Sequence, residues 1–383
     1  MRTTFPKDKS SLPLKLILVA GARPNFMKIA PLIRAIDEHN RSGQSTKIKF
    51  GLIHTGQHYD SNMSDIFFRE LGIPVPDINL GVGSGSQAEQ TAKIMLAFEP
   101  VCLKLKPDWV VVVGDVNSTL ACSLVAAKLG IRVAHVEAGL RSFDWTMPEE
   151  INRVVTDRLS DLLFTPSTDA NLNLKKEGLL AKKIKFVGNI MIDALIYQLR
   201  NGEKSQLAEH LNLTPRQFAY ITLHRPSNVD KPETLKAIMK KLASLSRQIT
   251  VVFPVHPRTR KNLEEIKFKA EAFKQLKLIE PVGYNDSLWL AKNASLVLTD
   301  SGGLQEETTY FKTPCLTLRA NTERPITIKL GTNKLTDINN LDNDIKAILE
   351  GKTRKGRIPR YWDGQAARRI VRHLVEAGSQ VKV

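Results

Sequence analysis

Short runs of β-branched and aliphatic residues alternate along this chain with longer stretches of helical periodicity, and no other feature constrains its fold so strongly. Strand, helix and strand in that order build a parallel sheet, because parallel neighbours must be joined by a crossover of a dozen or more residues. Leu14–Val19 opens the series and runs into Gly21-Ala22-Arg23-Pro24; apolar residues at Phe26, Ile29, Ile33 and Ile36 then mark a helix. Further strands are expected at Ile48–Ile53, Trp109–Val113, Arg132–Val136, Leu162–Phe164 and Ile184–Val187. A polar, helical stretch to about Leu213 separates them from a second series at Ala219–Leu223, Thr250–Pro254, Leu276–Ile279, Ser295–Leu298 and Cys315–Leu318. The chain therefore reads as α/β, with one doubly wound domain over residues 14–188 and another over 195–360. Ile370, Val371 and Leu374 give the segment 365–378 a helical spacing, and it is expected to pack back on the first domain. At 383 residues the chain is longer than one core usually supports, which agrees with two domains facing each other across a cleft.

Composition narrows the function classes. Hydrophobic residues at 42% and charged residues at 25% exclude a disordered or low-complexity chain. A net charge of +17 invites polyanionic partners, but Lys352–Val383 alone carries nine basic and two acidic side chains, a net of +7. Much of the excess is thus terminal, and a solvated basic face accounts for it. No RRM, KH or helix-turn-helix pattern appears and aromatics are only 6%, so a nucleic-acid-binding module is the weaker alternative. Cys102, Cys122 and Cys315 lack CxxC spacing and sit among apolar residues, which points to core packing in a reducing compartment. The polar start, Met1–Lys15, lacks the apolar run of a secretory signal, and no window suits a spanning helix; a cytoplasmic protein without membrane insertion is expected.

The chemistry-bearing residues fall at strand ends, where open α/β sheets bind ligands. After the first strand, Arg23 precedes a helix and Lys28 follows within it, a pair of cations suited to a phosphate. Neither GxGxxG nor GxxxxGK[ST] occurs, so the usual nucleotide fingerprints are missing. The buried run Val110–Val113 delivers Gly114-Asp115, and the next strand ends His135-Val136-Glu137, where period-two alternation sets His135 and Glu137 on one side. HxE without PCxxC does not make a zinc deaminase site, and no metal is expected. Glu149 and Glu150 follow Pro148 at a helix start, where an acid can serve either catalysis or the helix dipole.

In the second domain, His224-Arg225 and His256-Pro257-Arg258 are two basic strand ends that suggest an anionic ligand. The sharpest signal is Thr299-Asp300-Ser301-Gly302-Gly303, a strand running into a glycine turn that opens a helix and leaves amides free for a phosphate. Glu307, almost two turns on, is placed to accept hydrogen bonds from the vicinal hydroxyls of a ribose, and Arg324 offers another cation for a diphosphate.

Taken together, GARPNFMK from Gly21, GDVNSTL from Gly114, HVEAGLRS from His135, MPEEINR from Met147, HRPSN from His224, TDSGGLQEE from Thr299 and TERP from Thr322 resemble the non-hydrolysing UDP-N-acetylglucosamine 2-epimerases over about residues 14–378. The resemblance implies two Rossmann-like domains of the GT-B glycosyltransferase type, a homodimer, and interconversion of UDP-GlcNAc and UDP-ManNAc with neither metal nor nicotinamide cofactor. Carried onto matching positions, it implies Asp115, Glu137, Glu149 and His224 as the catalytic group, and Arg23, Lys28, Ser301, Gly302, Gly303, Glu307 and Arg324 as the residues that hold the nucleotide sugar. Ser287 departs from the family, many of whose members carry phenylalanine beside the uracil, and Gln57-His58 is followed by Tyr59-Asp60 where bacterial members bind a second UDP-GlcNAc as activator. The alternatives are a sister epimerase acting on a UDP-linked 2,3-diacetamido uronic acid, and a glycosyltransferase of the same fold.

Overall fold

The computed structural model describes residues 12–57, 68, 71–202 and 205–379. The leader through residue 11 and the positions His58, Tyr59 and Asp60 lie outside them. The described chain divides into two compact units: residues up to Ala194 together with those from Asp363 onward, and Leu195–Trp362.

The first unit is built on seven parallel strands: β1 (Leu14–Ala20), β2 (Ile48–His54), β3 (Ile78–Asn79), β4 (Trp109–Val113), β5 (Arg132–Val136), β6 (Leu162–Thr165) and β7 (Ile184–Phe186). They lie in the order β3-β2-β1-β4-β5-β6-β7. Every residue of β4 is buried, as its four consecutive valines require of a strand covered on both faces. Ile17, Val19, Val110 and Val112 pack with Ile94, Phe98 and Cys102 of the helix Gln87–Leu105 and with Ala121, Cys122 and Val125 of the helix Asn117–Lys128. The helix Ala366–Ser379 belongs to this unit, and Asp193 caps it by accepting the Ala366 and Ala367 amides at 3.1 and 2.8 Å.

Six parallel strands form the second unit: β8 (Phe218–Thr222), β9 (Thr250–Pro254), β10 (Leu276–Ile279), β11 (Leu296–Thr299), β12 (Cys315–Leu318) and β13 (Asn333–Thr336). Their order, β10-β9-β8-β11-β12-β13, repeats the first sheet's: the chain winds outward from the first strand, then crosses back to the other side. One face packs Ile221, Val251, Phe253 and Leu298 against Leu235, Ile238 and Leu242 of the helix Pro232–Leu245. All three cysteines are buried and unpaired, and burial pushes the thiols of Cys102 and Cys315 up to about 12 and 11, so they stay unreactive. Among the described residues, no helix is long and apolar enough to cross a membrane.

Two strands in this fold escape the sequence reading. β3 has only two residues, and β13 (Asn-Lys-Leu-Thr) carries no apolar run. Side-chain bonds sustain β13: Thr317 donates to Asn333 at 2.7 Å, and Thr336 donates to Asp344 at 2.7 Å.

Candidate active site

Where strand order reverses, the loops after the two central strands diverge to opposite faces and leave a crevice at the carboxyl edge. In the first unit that point lies between β1 and β4, and in the second between β8 and β11. The residues that follow these four strands are the ones the sequence marks most heavily.

After β1 the chain turns at Gly21, where a Cβ would come 2.1 Å from Ser118 Oγ, so only glycine fits. Asn25 ties this turn to the neighbouring strand: its Oδ1 accepts the Gly21 and Ala22 amides at 3.0 Å, and its Nδ2 donates to the Val113 carbonyl at 3.1 Å. Arg23 is the exposed first residue of the helix Arg23–Arg41, not the last of the loop. Lys28 is buried and paired with Glu137, so its charge is already matched by a carboxylate. Gly114 makes that pairing possible, since its φ is +69° and a Cβ there would lie 2.8 Å from Lys28 Nζ.

Glu137 does not share a side with His135 by strand alternation. β5 ends at Val136, and Glu137 takes a left-handed φ of +75°, an uncommon state for a non-glycine residue. His135 is fully buried, with Nδ1 2.6 Å from Asp157 and Nε2 2.8 Å from the Gly114 carbonyl oxygen. It therefore supports the turn from beneath.

The adjacent acids at the start of the helix Pro148–Leu159 have different tasks. Glu150 is buried and accepts the Ser142 and Phe143 amides, both at 2.9 Å, together with Arg153 Nη2 at 2.6 Å. These bonds hold its carboxyl below the ordinary range against the burial that would raise it. Glu149 is exposed and lines a cleft of about 290 Å³ with Asp115, Asn117, Gln57, Gln90 and Asn152. Asp115 is paired with Arg153, a buried guanidinium that also grips Glu150. Arg153 is a site residue the sequence reading missed, although its i, i+3 spacing from Glu150 on one helix is a visible sign.

In the second unit, Asp300 organises the loops after β8 and β11. It is wholly buried; its Oδ2 accepts the Arg225 amide at 2.9 Å and Asn228 Nδ2 at 3.0 Å, and its Oδ1 lies 3.0 Å from His224 Nδ1. Burial alone would raise its pKa, but His224, Asn228 and the Arg225 amide hold it below the usual carboxylate range. His224 keeps half of its side chain exposed. Asp300 is thus the positioning acid for the predicted histidine. Its place before the glycine pair was visible in the sequence, but its partners, more than seventy residues away, were not.

The helix Gly302–Phe311 opens with Ser301 as its N-cap, yet the Ser301 side chain makes no capping bond. Glu307 is buried, its Oε1 accepts the Tyr284 hydroxyl at 3.1 Å, and its Oε2 has no hydrogen-bond partner among the described residues. Burial pushes its carboxyl up to about 8. Arg324 is not an open loop cation: it is buried and paired with Glu306 at 2.9 Å and with Glu323. Its Nη1 lies 2.5 Å from where a Gly302 Cβ would be, so it sits against the start of that helix. Ser287 bonds the Tyr220 hydroxyl at 2.9 Å. The basic end of β9 takes no part in this cluster: His256 caps its own helix Pro257–Glu265 and Arg258 pairs with Asp230 at 2.5 Å.

The family model for UDP-N-acetylglucosamine 2-epimerase matches residues 40–375. The chain belongs to that family. A UDP-N-acetylglucosamine 2-epimerase of Methanocaldococcus jannaschii is 46% identical over 94% of this chain and 99% of its own length. The crystal structure of the Methanocaldococcus jannaschii UDP-GlcNAc 2-epimerase in complex with UDP-GlcNAc and UDP superposes with a TM-score of 0.83 at 44% identity, covering 95% of this chain and all of that one. A UDP-2,3-diacetamido-2,3-dideoxy-D-glucuronate 2-epimerase of Pseudomonas aeruginosa is 41% identical over 95% of this chain and its own full length. The shared fold is the two-domain GT-B type, with a doubly wound sheet in each unit.

Proposed function

We infer that this epimerase interconverts UDP-N-acetylglucosamine and UDP-N-acetylmannosamine by inverting C2 of the sugar. The observation that carries the reading is the unlike chemistry of the two switch points. At one, Asp115 and Glu149 line a cleft and the buried Glu137 lies beside Gly114; the other presents a glycine-opened helix N-terminus, His224 and an incompletely bonded Glu307. Full-length similarity to enzymes named for this activity, among them one crystallised with UDP-GlcNAc and UDP, supports it.

Epimerisation at an unactivated C2 is achieved by elimination and re-addition. A base takes the C2 proton, the C–H electron pair becomes the C1–C2 double bond of 2-acetamidoglucal, and the C1–O bond breaks as UDP departs. A proton then arrives at C2 from the opposite face and UDP adds back to C1. No step of this path transfers a hydride, so the path itself calls for no redox cofactor. Asp115, Glu137 and Glu149 share the proton transfers and the contacts to sugar hydroxyls. The amides of Ser301, Gly302 and Gly303 at the helix start, with His224, stabilise the diphosphate as it takes up negative charge, while Lys28 holds the Glu137 carboxylate in place. Glu307 accepts the ribose hydroxyls, and Arg324 braces the Gly302 turn. The resemblance also implies a homodimer, which light scattering on the purified protein would establish.

Incubation with UDP-GlcNAc, followed by chromatographic separation of the nucleotide sugars, should yield UDP-ManNAc as an equilibrium mixture. Free ManNAc as the main product would contradict the reading. Turnover of a UDP-2,3-diacetamido uronate in preference to UDP-GlcNAc would reassign the enzyme to the sister branch.

A further inference from the structure

Three buried carboxamides, Gln90, Asn117 and Asn152, form a relay along the cleft that Asp115 and Glu149 line, and its direction is fixed at both ends. Gln90 Nε2 donates to the Gln57 and Gly83 backbone carbonyls at 3.0 and 2.9 Å, so its Oε1 is the atom that accepts Asn117 Nδ2 at 2.9 Å. Asn117 Oδ1 is then left to accept Asn152 Nδ2 at 3.1 Å. At the far end the same Nδ2 donates to the Asp115 backbone carbonyl at 2.9 Å, a partner that only accepts. Flipping any one of the three amides would set acceptor against acceptor in a buried place, which is costly.

Both hydrogens of Asn152 Nδ2 are therefore engaged, and the orientation of the amide is set. Its Oδ1 accepts nothing from the described residues, and it is not among the sealed orphan atoms of the interior. Asn152 is only 5% exposed and lines the cleft, so this oxygen opens into the recess. Glu149 stands three residues earlier on the helix Pro148–Leu159 and shares its face. An amide carbonyl only accepts, so its complement is an N–H or O–H and neither a phosphate nor a carboxylate. A fixed acceptor in a recess discriminates strongly against ligands that lack the donor, because such a ligand leaves it unpaired.

We propose that Asn152 is a specificity-determining residue whose Oδ1 accepts the acetamido N–H on C2 of the hexose. This rests on the proposed activity, which sets the sugar against Asp115 and Glu149. Proton transfer takes place at C2, and the N–H of an N-acetylhexosamine is carried by that same carbon. The acids that act on C2 and the acceptor fixed beside them thus address one centre from one cleft. Because Asn152 Nδ2 is bonded to the Asp115 backbone, the group that reads the N–H is held in register with the acid. The relay also orders the amide before substrate arrives, so binding loses little side-chain freedom there. A 2,3-diacetamido sugar carries the same N–H on C2, and the assignment holds for either branch of the family.

The test compares dissociation constants, measured by calorimetry at epimerisation equilibrium, for UDP-GlcNAc, for UDP-2-O-acetylglucose and for UDP. The second ligand keeps the acetyl group but has an ester oxygen in place of the N–H. Wild type should bind UDP-GlcNAc about 10–100-fold more tightly than the ester, which lacks the donor and turns a lone pair toward Oδ1. Asn152→Ala should bring that ratio within about threefold, while its affinity for UDP stays within about threefold of wild type. A side chain that only braced the Asp115 backbone would slow turnover and leave the ratio standing. Should Asn152→Ala fail to fold, Asn152→Ser, which withdraws the carbonyl oxygen but keeps a hydroxyl donor, gives the same readout. A wild-type ratio below about threefold, or a ratio that survives in the folded variant, overturns the proposal. A ratio that collapses in the variant while wild type forms no UDP-ManNAc would instead fault the proposed activity and leave Asn152 as the acceptor of the N–H.

Discussion

Neighbouring residues of one type carry opposite burdens here, and Glu149 and Glu150 separate cleanly. Glu150 accepts two amides and a buried guanidinium, so Glu150→Gln leaves Arg153 without part of its counter-charge and should cost about 3 kcal/mol or more of stability. Glu149→Gln should leave Tm near wild type and lower kcat by roughly 100-fold or more; Asp115→Asn should lower kcat alike, with a Tm loss smaller than that of Glu150→Gln because Asp115, the other partner of Arg153, is partly exposed. Thermal melts and initial rates on the three variants test this division; equal Tm losses for both glutamate variants would contradict it. Glu307 supplies a pH signature. Burial raises its folded-state pKa from 4.5 to about 8, so its contribution to stability is full below the ordinary carboxylate range and lost as pH rises through about 8. Glu307→Gln should therefore gain Tm relative to wild type as pH goes from about 5 to 8. Ribose hydroxyls donating to this group favour its charged form, so UDP binding near neutral pH should release a proton that the glutamine variant does not. Calorimetry in buffers of differing ionisation enthalpy measures that difference, and identical buffer dependence in both proteins would exclude Glu307 from ribose binding.

At the scale of elements, the helix Gly302–Phe311 shows what each glycine does. A Cβ on residue 302 would come 2.5 Å from Arg324 and 2.8 Å from Glu323, whereas at residue 303 the nearest atom is Ser301 Oγ at 4.0 Å. Gly302→Ala should cost about 1–3 kcal/mol and weaken UDP binding, while Gly303→Ala should change stability by less than about 0.5 kcal/mol. Chemical denaturation curves would show it, and equal losses would mean the Arg324 loop yields freely. Strand positions were legible in the sequence because a strand buried on both faces leaves few alternatives to β-branched apolar runs. β13 was not, because its residues are polar and stabilised by side chains from β12 and the helix Leu341–Leu349. Glu137 was misplaced because the period-two rule fails where a strand ends in a left-handed turn.

Across the whole molecule, the candidate acids, cations and glycine turn were legible because sheet topology collects ligand-binding residues at strand ends, and strand ends can be read locally. Their supports, Arg153, Asp300 and the Asp157–His135 pair, were not, since each acts through partners distant in sequence. The same strand order in two sheets places an acidic turn at one switch point and an amide-rich helix start at the other, which suits a reaction that moves a proton at carbon while releasing a diphosphate. The direct measurement is turnover of UDP-GlcNAc in deuterium oxide, with C2 followed by NMR. The account predicts deuterium at C2 of the UDP-ManNAc formed; UDP-ManNAc that retains its original C2 hydrogen would contradict it.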